Sequence, residues 1–270
     1  MTSHSSNEKI SHSHGDLESG ALDGGASLGR QISVQLTPEQ FERLYLQPGG
    51  TQARGDLSKR FANPTPLGVA SFLLTLTPVS CYLMGWGSTS LAAATSIVGA
   101  MFLVGGLGCV LAGMLEFILG NTFTFVAFIT LGCLWFSLGF LLQPTQGIAA
   151  ALGGLASPEY NAGIALYLYW WAAMVFIYWI ATLRTNVVFS ALFASLDIFI
   201  WLFATTFLRL SYGHDVATLF KATGAFGFIT CAMGWWLQVA LIFDSVGIPV
   251  KLPVGDLSGF LAGPVKRNVD

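Results

Sequence analysis

The chain has 270 residues, of which 54% are hydrophobic and only 10% are charged, whereas about 25% of the residues of an ordinary soluble domain are charged. A formal net charge of −2 excludes the basic surface that a nucleic-acid-binding protein needs. Residues 1–60 carry 13 of the charged side chains and residues 249–270 carry 5, which leaves 8 for residues 61–248. This central part is therefore predicted to lie in a membrane.

The region before the membrane divides into two parts. Residues 1–35 are rich in Ser, His and acidic side chains, a composition that predicts disorder. Residues 36–47 are predicted to form a short amphipathic helix that begins at Thr37 and Pro38 and acts as a membrane-surface anchor, a gate or a packing element. His4, His12 and His14 do not predict a metal site, because such a tail tract is usually solvated.

Apolar runs of about twenty residues, the length that crosses a bilayer, predict an all-α fold with six transmembrane helices. The runs are Leu67–Trp86, Leu91–Phe117, Phe123–Leu142, Gly163–Leu183, Val187–Leu208 and Val216–Phe243. An even number of spans places both termini on one side, and Lys and Arg are more frequent on that side, which predicts cytoplasmic termini. The domains are then a cytoplasmic tail over 1–60, a six-helix transmembrane domain over 61–248 and a second cytoplasmic tail over 249–270.

The motifs of soluble enzymes are missing from the sequence. It contains no Gly-x-Ser-x-Gly elbow, no His-Glu-x-x-His and no phosphate-binding loop, and His214 is the only histidine after the tail. All four cysteines fall inside apolar runs, which favours packing over metal binding. We expect neither catalysis nor a cofactor.

A proline-rich turn precedes the first span: Asn63-Pro64-Thr65-Pro66-Leu67-Gly68. Asn63 is predicted to cap the helix and Pro64 to occupy its first position. The free amide donors of such a helix start form a weak anion site, although a rigid helix start at the interface explains the same residues.

This turn resembles the Asn-Pro-x-Pro-Leu-Gly signature of the acetate uptake transporter family, which includes bacterial succinate–acetate permeases and fungal proteins also named for outward ammonia transport. The resemblance continues through Glu116, Gly120-Asn121-Thr122-Phe123, Thr182-Leu183-Arg184 and Leu252-Pro-Val-Gly-Asp-Leu-Ser258. It covers roughly residues 36–260, and the tail motifs point to the fungal branch. It implies a pathway within each subunit, a homo-oligomer that is possibly hexameric, and proton-coupled uptake of acetate and related short carboxylates.

The resemblance also implies a constriction made by three side chains. Phe72 matches the family phenylalanine, whereas Leu131 stands where the family has a tyrosine. The family leucine of the fifth helix corresponds to Leu192 or Leu196, since no motif fixes the register. Loss of the tyrosine hydroxyl at Leu131 puts the substrate preference in doubt more than the fold.

Ionisable residues inside a membrane are costly and call for a reason. Glu116 lies near the inner end of the second span, where either helix-end polarity or a functional role explains it. Asp197 lies near mid-depth, where an ionised, unpaired carboxylate is unfavourable, so it is predicted to be protonated, hydrogen-bonded or active in proton exchange. Thr75 lies one turn beyond Phe72 and is predicted to offer a hydroxyl donor to the same space.

The leading hypothesis is a multi-pass secondary transporter of acetate, coupled to protons, in the plasma membrane or an internal membrane. Three alternatives stay open at this point: a passive anion channel with a hydrophobic gate, an exporter of ammonia or ammonium, and a membrane sensor that transports nothing. Protons, small carboxylates and lipid are the expected partners, and nucleic acid is not.

Overall fold

The computed structural model describes residues 61–250 and 252–257. Six helices in these residues are long and apolar enough to cross a membrane: α1 (Thr65–Met84), α2 (Leu91–Leu119), α3 (Thr122–Leu142), α4 (Pro158–Thr182), α5 (Val187–Ser211) and α6 (Ala217–Ser245). No strand occurs in the described ranges, so the predicted all-α membrane fold is confirmed. The predictions for residues 1–60, including the amphipathic helix over 36–47, fall outside the described residues.

Glycine and proline set the ends of the helices. Gly85 ends α1 with a positive φ of 80° and donates its N–H to the carbonyl groups of Cys81 and Tyr82, a backbone conformation that favours glycine. The predicted start of α4 at Gly163 is wrong, because the helix already begins at Pro158 behind a Ser157 cap. A proline fits this first position because the missing N–H would have no partner there.

The second span is not one regular helix, although its sequence is a single apolar run. It begins as a 3₁₀-helix over Leu91–Ile97, passes through Val98–Ala100, forms a π-helix over Met101–Gly108 and ends as an α-helix over Cys109–Leu119. Hydropathy does not distinguish these forms, because all of them keep the backbone hydrogen-bonded within the segment. The irregular part faces α1 and α3.

The helices form a closed ring. Each packs against the next in the order α4, α5, α6, α1, α2, α3. Side chains then join α3 back to α4: the hydroxyl of Thr130 lies 2.9 Å from that of Tyr178, and Ser137 lies 2.8 Å from Tyr167. Such polar contacts between helices are favourable in lipid, where water cannot replace them.

Glycines allow the helices of the ring to approach closely. A Cβ atom on Gly105 of α2 would lie 2.7 Å from the Thr75 hydroxyl of α1, and one on Gly227 of α6 would lie 2.5 Å from the Ser80 hydroxyl. Small residues recur at four-residue spacing around both glycines, as Gly105, Cys109 and Gly113 in α2 and as Thr223, Gly227 and Cys231 in α6. Such a series is typical of helix contacts in membranes. These small residues therefore indicate close packing between neighbouring helices.

A short C-terminal strap, Leu252–Leu257, lies across the start of α5. The N–H groups of Val187 and Val188 donate to the carbonyls of Gly255 (3.1 Å) and Val254 (3.2 Å), and the N–H of Leu257 donates to the Thr185 carbonyl (3.0 Å). The first turn of a helix has no internal acceptors for its N–H groups. The strap supplies carbonyl acceptors for two of these N–H groups. The Leu-Pro-Val-Gly-Asp motif after the last span thus has a structural role.

Gly224 provides a test of the packing between α6 and α1. A Cβ there would lie 2.8 Å from the Ser80 carbonyl oxygen and 2.9 Å from the Leu83 Cβ, whereas a Cβ on Gly163 of α4 would meet nothing within 4 Å. We expect Gly224→Ala to destabilise the protein by about 1–3 kcal/mol, and Gly163→Ala to leave stability unchanged or raise it. Thermal unfolding of both variants in detergent measures the difference, and equal behaviour would contradict this packing.

Candidate functional site

Two neighbouring cavities lie among the helices of the ring. The narrow cavity, of 40 Å³, is lined by twelve hydrophobic side chains: Phe72, Leu76, Val79, Leu131, Leu134, Trp135, Leu138, Leu168, Leu196, Phe199, Ile200 and Phe203. The wide cavity, of 470 Å³, lies between the α2 start, the α3–α4 connection and the facing ends of α5 and α6. Four side chains line both cavities, namely Val79, Trp135, Leu138 and Phe203, so the two cavities adjoin. The pair of cavities is called the track below.

The structure brings together three of the side chains that were predicted to narrow a pathway. Phe72, Leu131 and Leu196 are buried and line the narrow cavity. Leu192 is also buried but lines neither cavity, so only Leu196 of the two candidates lies at the narrow cavity. Its role in a pathway stays a prediction. Trp135 packs against Phe72 with ring centroids 6.3 Å apart.

Thr75 does not offer its hydroxyl to these cavities. Its side chain is fully buried and donates to the Ser71 carbonyl at 3.1 Å. It lies against Gly105 of α2, where the π-helix passes close to α1. A separation of three residues leaves two helical side chains about 60° apart, which is enough to turn Thr75 away from the space that Phe72 lines.

The wide cavity contains polar groups but no charge. Thr95, Gln143, Tyr160 and Asn161 are among its lining residues, and none of the described lining residues of either cavity is Asp, Glu, Lys, Arg or His. Sequence reasoning missed Asn161 because the fourth apolar run was predicted to begin only at Gly163, whereas the helix begins at Pro158. The Ser157-Pro158 start signal could have placed it in the first turn of α4.

Asn63 caps α1 one position away from the prediction. Its Oδ1 accepts from the Thr65 N–H at 2.9 Å, while Pro64, with helical angles, occupies the N-cap position. Pro66 follows in the first turn, Leu67 is exposed, and a Cβ on Gly68 would lie 2.6 Å from the Phe128 ring. The motif thus fixes the start of α1 against α3.

Glu116 is the centre of a buried polar cluster. The hydroxyl of Thr65 donates to its Oε1, and Asn121 Nδ2 and the Thr124 hydroxyl (3.0 Å) donate to its Oε2. The glutamate side chain is 0% exposed. One carboxylate therefore joins the start of α1, the end of α2 and the start of α3, whereas the neighbouring Thr122 is exposed.

Asp197 is buried without lining the track. It is 8% exposed, and its Oδ1 has no hydrogen-bond partner in the described structure. Successive helical residues point about 100° apart, so Leu196 faces the narrow cavity while Asp197 does not. A role in proton exchange stays a prediction for both Asp197 and Glu116.

Comparison with known proteins identifies the family. The model of the GPR1/FUN34/yaaH family matches residues 45–259. The chain belongs to this family. The resemblance that was based on the Asn63 and Gly120 motifs is therefore confirmed.

Members of the GPR1/FUN34/yaaH family are similar to this chain over most of its length. Protein alcS of Aspergillus fumigatus is 41% identical, covering 84% of this chain and 87% of its own. Acetate permease A of Emericella nidulans is 31% identical over 78% and 72% of the two chains, and ammonia transport outward protein 2 of Saccharomyces cerevisiae is 32% identical over 66% and 60%.

A solved structure extends the similarity to the fold. The bacterial acetate channel SatP matches with a TM-score of 0.60 and 28% identity, covering 72% of this chain and 99% of its own. The chain is thus a multi-pass membrane protein of a family that includes acetate transporters and channels.

The Glu116 cluster predicts different outcomes for two substitutions. Glu116→Leu removes the carboxylate that accepts from Thr65, Asn121 and Thr124. The Thr124 hydroxyl keeps the Asn121 carbonyl at 3.1 Å, whereas the buried Thr65 hydroxyl loses its Glu116 partner, at a cost of about 1–3 kcal/mol. Glu116→Gln keeps one oxygen for Asn121 and Thr124, and its new amide donates to the Thr65 hydroxyl. We expect Leu to abolish monodisperse protein and Gln to retain it, as measured by size-exclusion chromatography and thermal unfolding; equal tolerance of both would contradict the cluster's role.

Leu196 and Leu192 form a matched pair, since both are buried in α5 but only Leu196 lines the narrow cavity. Both changes to Ala remove similar apolar volume, so they should destabilise similarly, by about 2–5 kcal/mol. Only Leu196→Ala should widen the constriction and strengthen competition by larger carboxylates. Competition of propionate and succinate with labelled acetate in proteoliposomes measures this, and a shift of selectivity in Leu192→Ala alone would reverse the assignment.

Proposed function

We propose that this chain is a secondary transporter that carries acetate and related short carboxylates across the plasma membrane together with protons. The observation that carries the proposal is an uncharged track, which narrows at Phe72, Leu131 and Leu196 below the wide cavity. The names of two relatives, acetate permease A and the acetate channel SatP, support acetate as the substrate.

The composition of the track explains why a proton should accompany the acid. An anion that leaves water needs a cation or several hydrogen-bond donors to replace its hydration. The narrow cavity offers neither a charged side chain nor, with Leu131 in place of tyrosine, a hydroxyl group among its described lining residues. Undissociated acetic acid is neutral, so it loses less hydration free energy than the acetate anion when it passes such an apolar wall.

A channel is the second candidate, because SatP is described as an acetate channel. Twelve hydrophobic side chains around 40 Å³ could also form a gate that opens by wetting. Ammonium transport is a third, supported by the name of ammonia transport outward protein 2. The described residues that line the track include no histidine or carboxylate to bind or deprotonate ammonium.

Uptake of labelled acetate by proteoliposomes, compared with protein-free vesicles, tests the proposal. With one proton per acetate, an inward gradient of one pH unit should sustain roughly tenfold accumulation, since one pH unit corresponds to about 1.36 kcal/mol. A channel for the anion would only equilibrate acetate when the membrane potential is clamped. Transport of ammonium instead of acetate would support the third candidate, and no flux of any solute would point to a sensor.

Asp197 separates two routes for the proton. If the acid carries the proton through the track, Asp197→Asn should retain both acetate counterflow and gradient-driven accumulation, because Asp197 does not line either cavity. If Asp197 itself exchanges the proton, the Asn variant should keep counterflow and lose accumulation. We expect the first result, with Asp197→Leu as the control for lost polar contacts.

Assembly into a homo-oligomer, with a hexamer as the expected form, is part of the proposal. Large hydrophobic side chains such as Trp170, Leu103 and Phe117 are exposed on the outer faces of α4 and α2. These faces meet either lipid or another copy of the chain. The mass of the detergent-solubilised protein, measured by light scattering with the detergent contribution subtracted, gives the number of subunits.

A further inference from the structure

The wide cavity is far larger than the acid that the track is proposed to carry. It has a volume of 470 Å³, whereas the narrow cavity beside it has 40 Å³. An apolar cavity of about 150 Å³ is enough to hold benzene, and pockets for drug-sized ligands measure about 300–1,000 Å³. Acetate, with its single methyl group, would therefore leave most of the wide cavity unfilled.

The wide cavity opens at the surface of the protein. Residues at the start of α2 and in the connection between α3 and α4 line it and are themselves exposed: Ala92, Thr95, Pro144, Gly147, Ala150 and Leu155. These residues are called the mouth below. The buried wall of the cavity includes Val79, Trp135 and Phe203, which also line the narrow cavity. A solute can therefore enter at the mouth and reach the wall beside the constriction.

The buried wall is suited to an alkyl chain. Met101, Trp135 and Ile164 are buried and contribute apolar surface to it. None of the described lining residues is Asp, Glu, Lys, Arg or His. Each methylene group that leaves water for such a wall raises affinity by up to about fourfold. A longer alkyl chain should therefore bind more tightly, as long as the cavity has room for it.

The mouth is suited to a carboxylate. Thr95 is exposed and Gln143, next to Pro144, is half-buried, and both line the cavity. Their hydroxyl and amide groups are neutral hydrogen-bond donors. A carboxylate held there stays in contact with water, so it keeps much of its hydration while its alkyl chain is buried. No acidic side chain among the described lining residues repels it.

The narrow cavity is too small to accept such a chain. Its 40 Å³ is enclosed by twelve hydrophobic side chains, and by volume it has room for only about three water molecules. An acid with a long alkyl chain therefore fits the wide cavity but not the constriction beside it.

We propose that the wide cavity binds medium-chain monocarboxylates, such as hexanoate and octanoate, with the alkyl chain along the buried wall and the carboxylate at Thr95 and Gln143. Bound there, these acids obstruct the constriction and inhibit the passage of acetate. Binding at this site goes beyond the proposed function, whereas inhibition of acetate passage rests on it.

Saturable binding of labelled butyrate, hexanoate and octanoate to the purified full chain tests the site without any need for transport. Scintillation proximity on bead-bound protein measures the affinities, and native mass spectrometry detects lipid that co-purifies. We expect affinity to rise roughly threefold with each added methylene group, slightly less than full burial gives. Equal affinities for the three acids overturn the proposal, as does a bound lipid that octanoate does not displace.

Two neighbouring alanines provide a matched pair of variants. Both belong to the short helix Ile148–Ala151, but Ala149 is half-buried and lines the wide cavity, whereas Ala151 is exposed and lines neither cavity. Ala149→Phe should fill part of the cavity and lower the octanoate-to-butyrate affinity ratio roughly tenfold, the effect of about two methylene groups. Ala151→Phe should keep the wild-type ratio.

The matched pair separates binding in the cavity from partition into detergent, which both variants share. An unchanged ratio in Ala149→Phe, or an equal fall in both variants, overturns the site. Ala150→Phe replaces Ala149→Phe if that variant does not fold, because Ala150 also lines the cavity but is exposed.

Inhibition of acetate uptake in proteoliposomes tests the second half of the proposal. Octanoate should inhibit the wild type and Ala151→Phe at lower concentrations than butyrate does, and this difference should shrink in Ala149→Phe. Identical inhibition of both variants would show an effect of octanoate on the lipid and overturn the proposed block. Octanoate binding with the expected ratios, in a protein that takes up no acetate, would instead refute only the transport function.

Discussion

The buried carboxylate of Glu116 is the constraint on which the arrangement of the first three helices depends. It accepts hydrogen bonds from Thr65, Asn121 and Thr124, which lie in three separate segments of the chain. A carboxylate away from water is stable only when its oxygens are paired, so these segments must meet at one point. Phe72, about two turns into α1, and Leu131, in α3, both line the narrow cavity, so their helices are held together at this cluster.

The two parts of the track differ in the side chains that line them. The wide cavity offers isolated polar groups in an apolar setting, while the narrow cavity offers only hydrophobic side chains among its described lining. An uncharged polar part and an apolar part therefore adjoin in the track. Leu131 is central to this division, because the tyrosine of the family pattern would bring a hydroxyl into the narrow part.

Much of the fold follows from the sequence alone. Six apolar runs predict six membrane helices because a helix is the structure that pairs its backbone within one segment in lipid. The motifs at Asn63, Gly120 and Leu252 identify the GPR1/FUN34/yaaH family, and Phe72 is recognisable from its distance to the first motif. Leu131 is located in the same way, by its distance along the chain from the motif at Gly120, because a short motif fixes the alignment of the residues that follow it.

Tertiary structure decided what depends on contacts between distant residues. Hydropathy could not reveal the π-helix of α2, the choice of Leu196 over Leu192, or the turn of Thr75 toward Gly105. The partners of Glu116 and the unpaired Oδ1 of Asn161 were equally hidden. A sequence states which groups need partners, but the partner of each group is set by helix rotation and packing, which depend on all six helices at once.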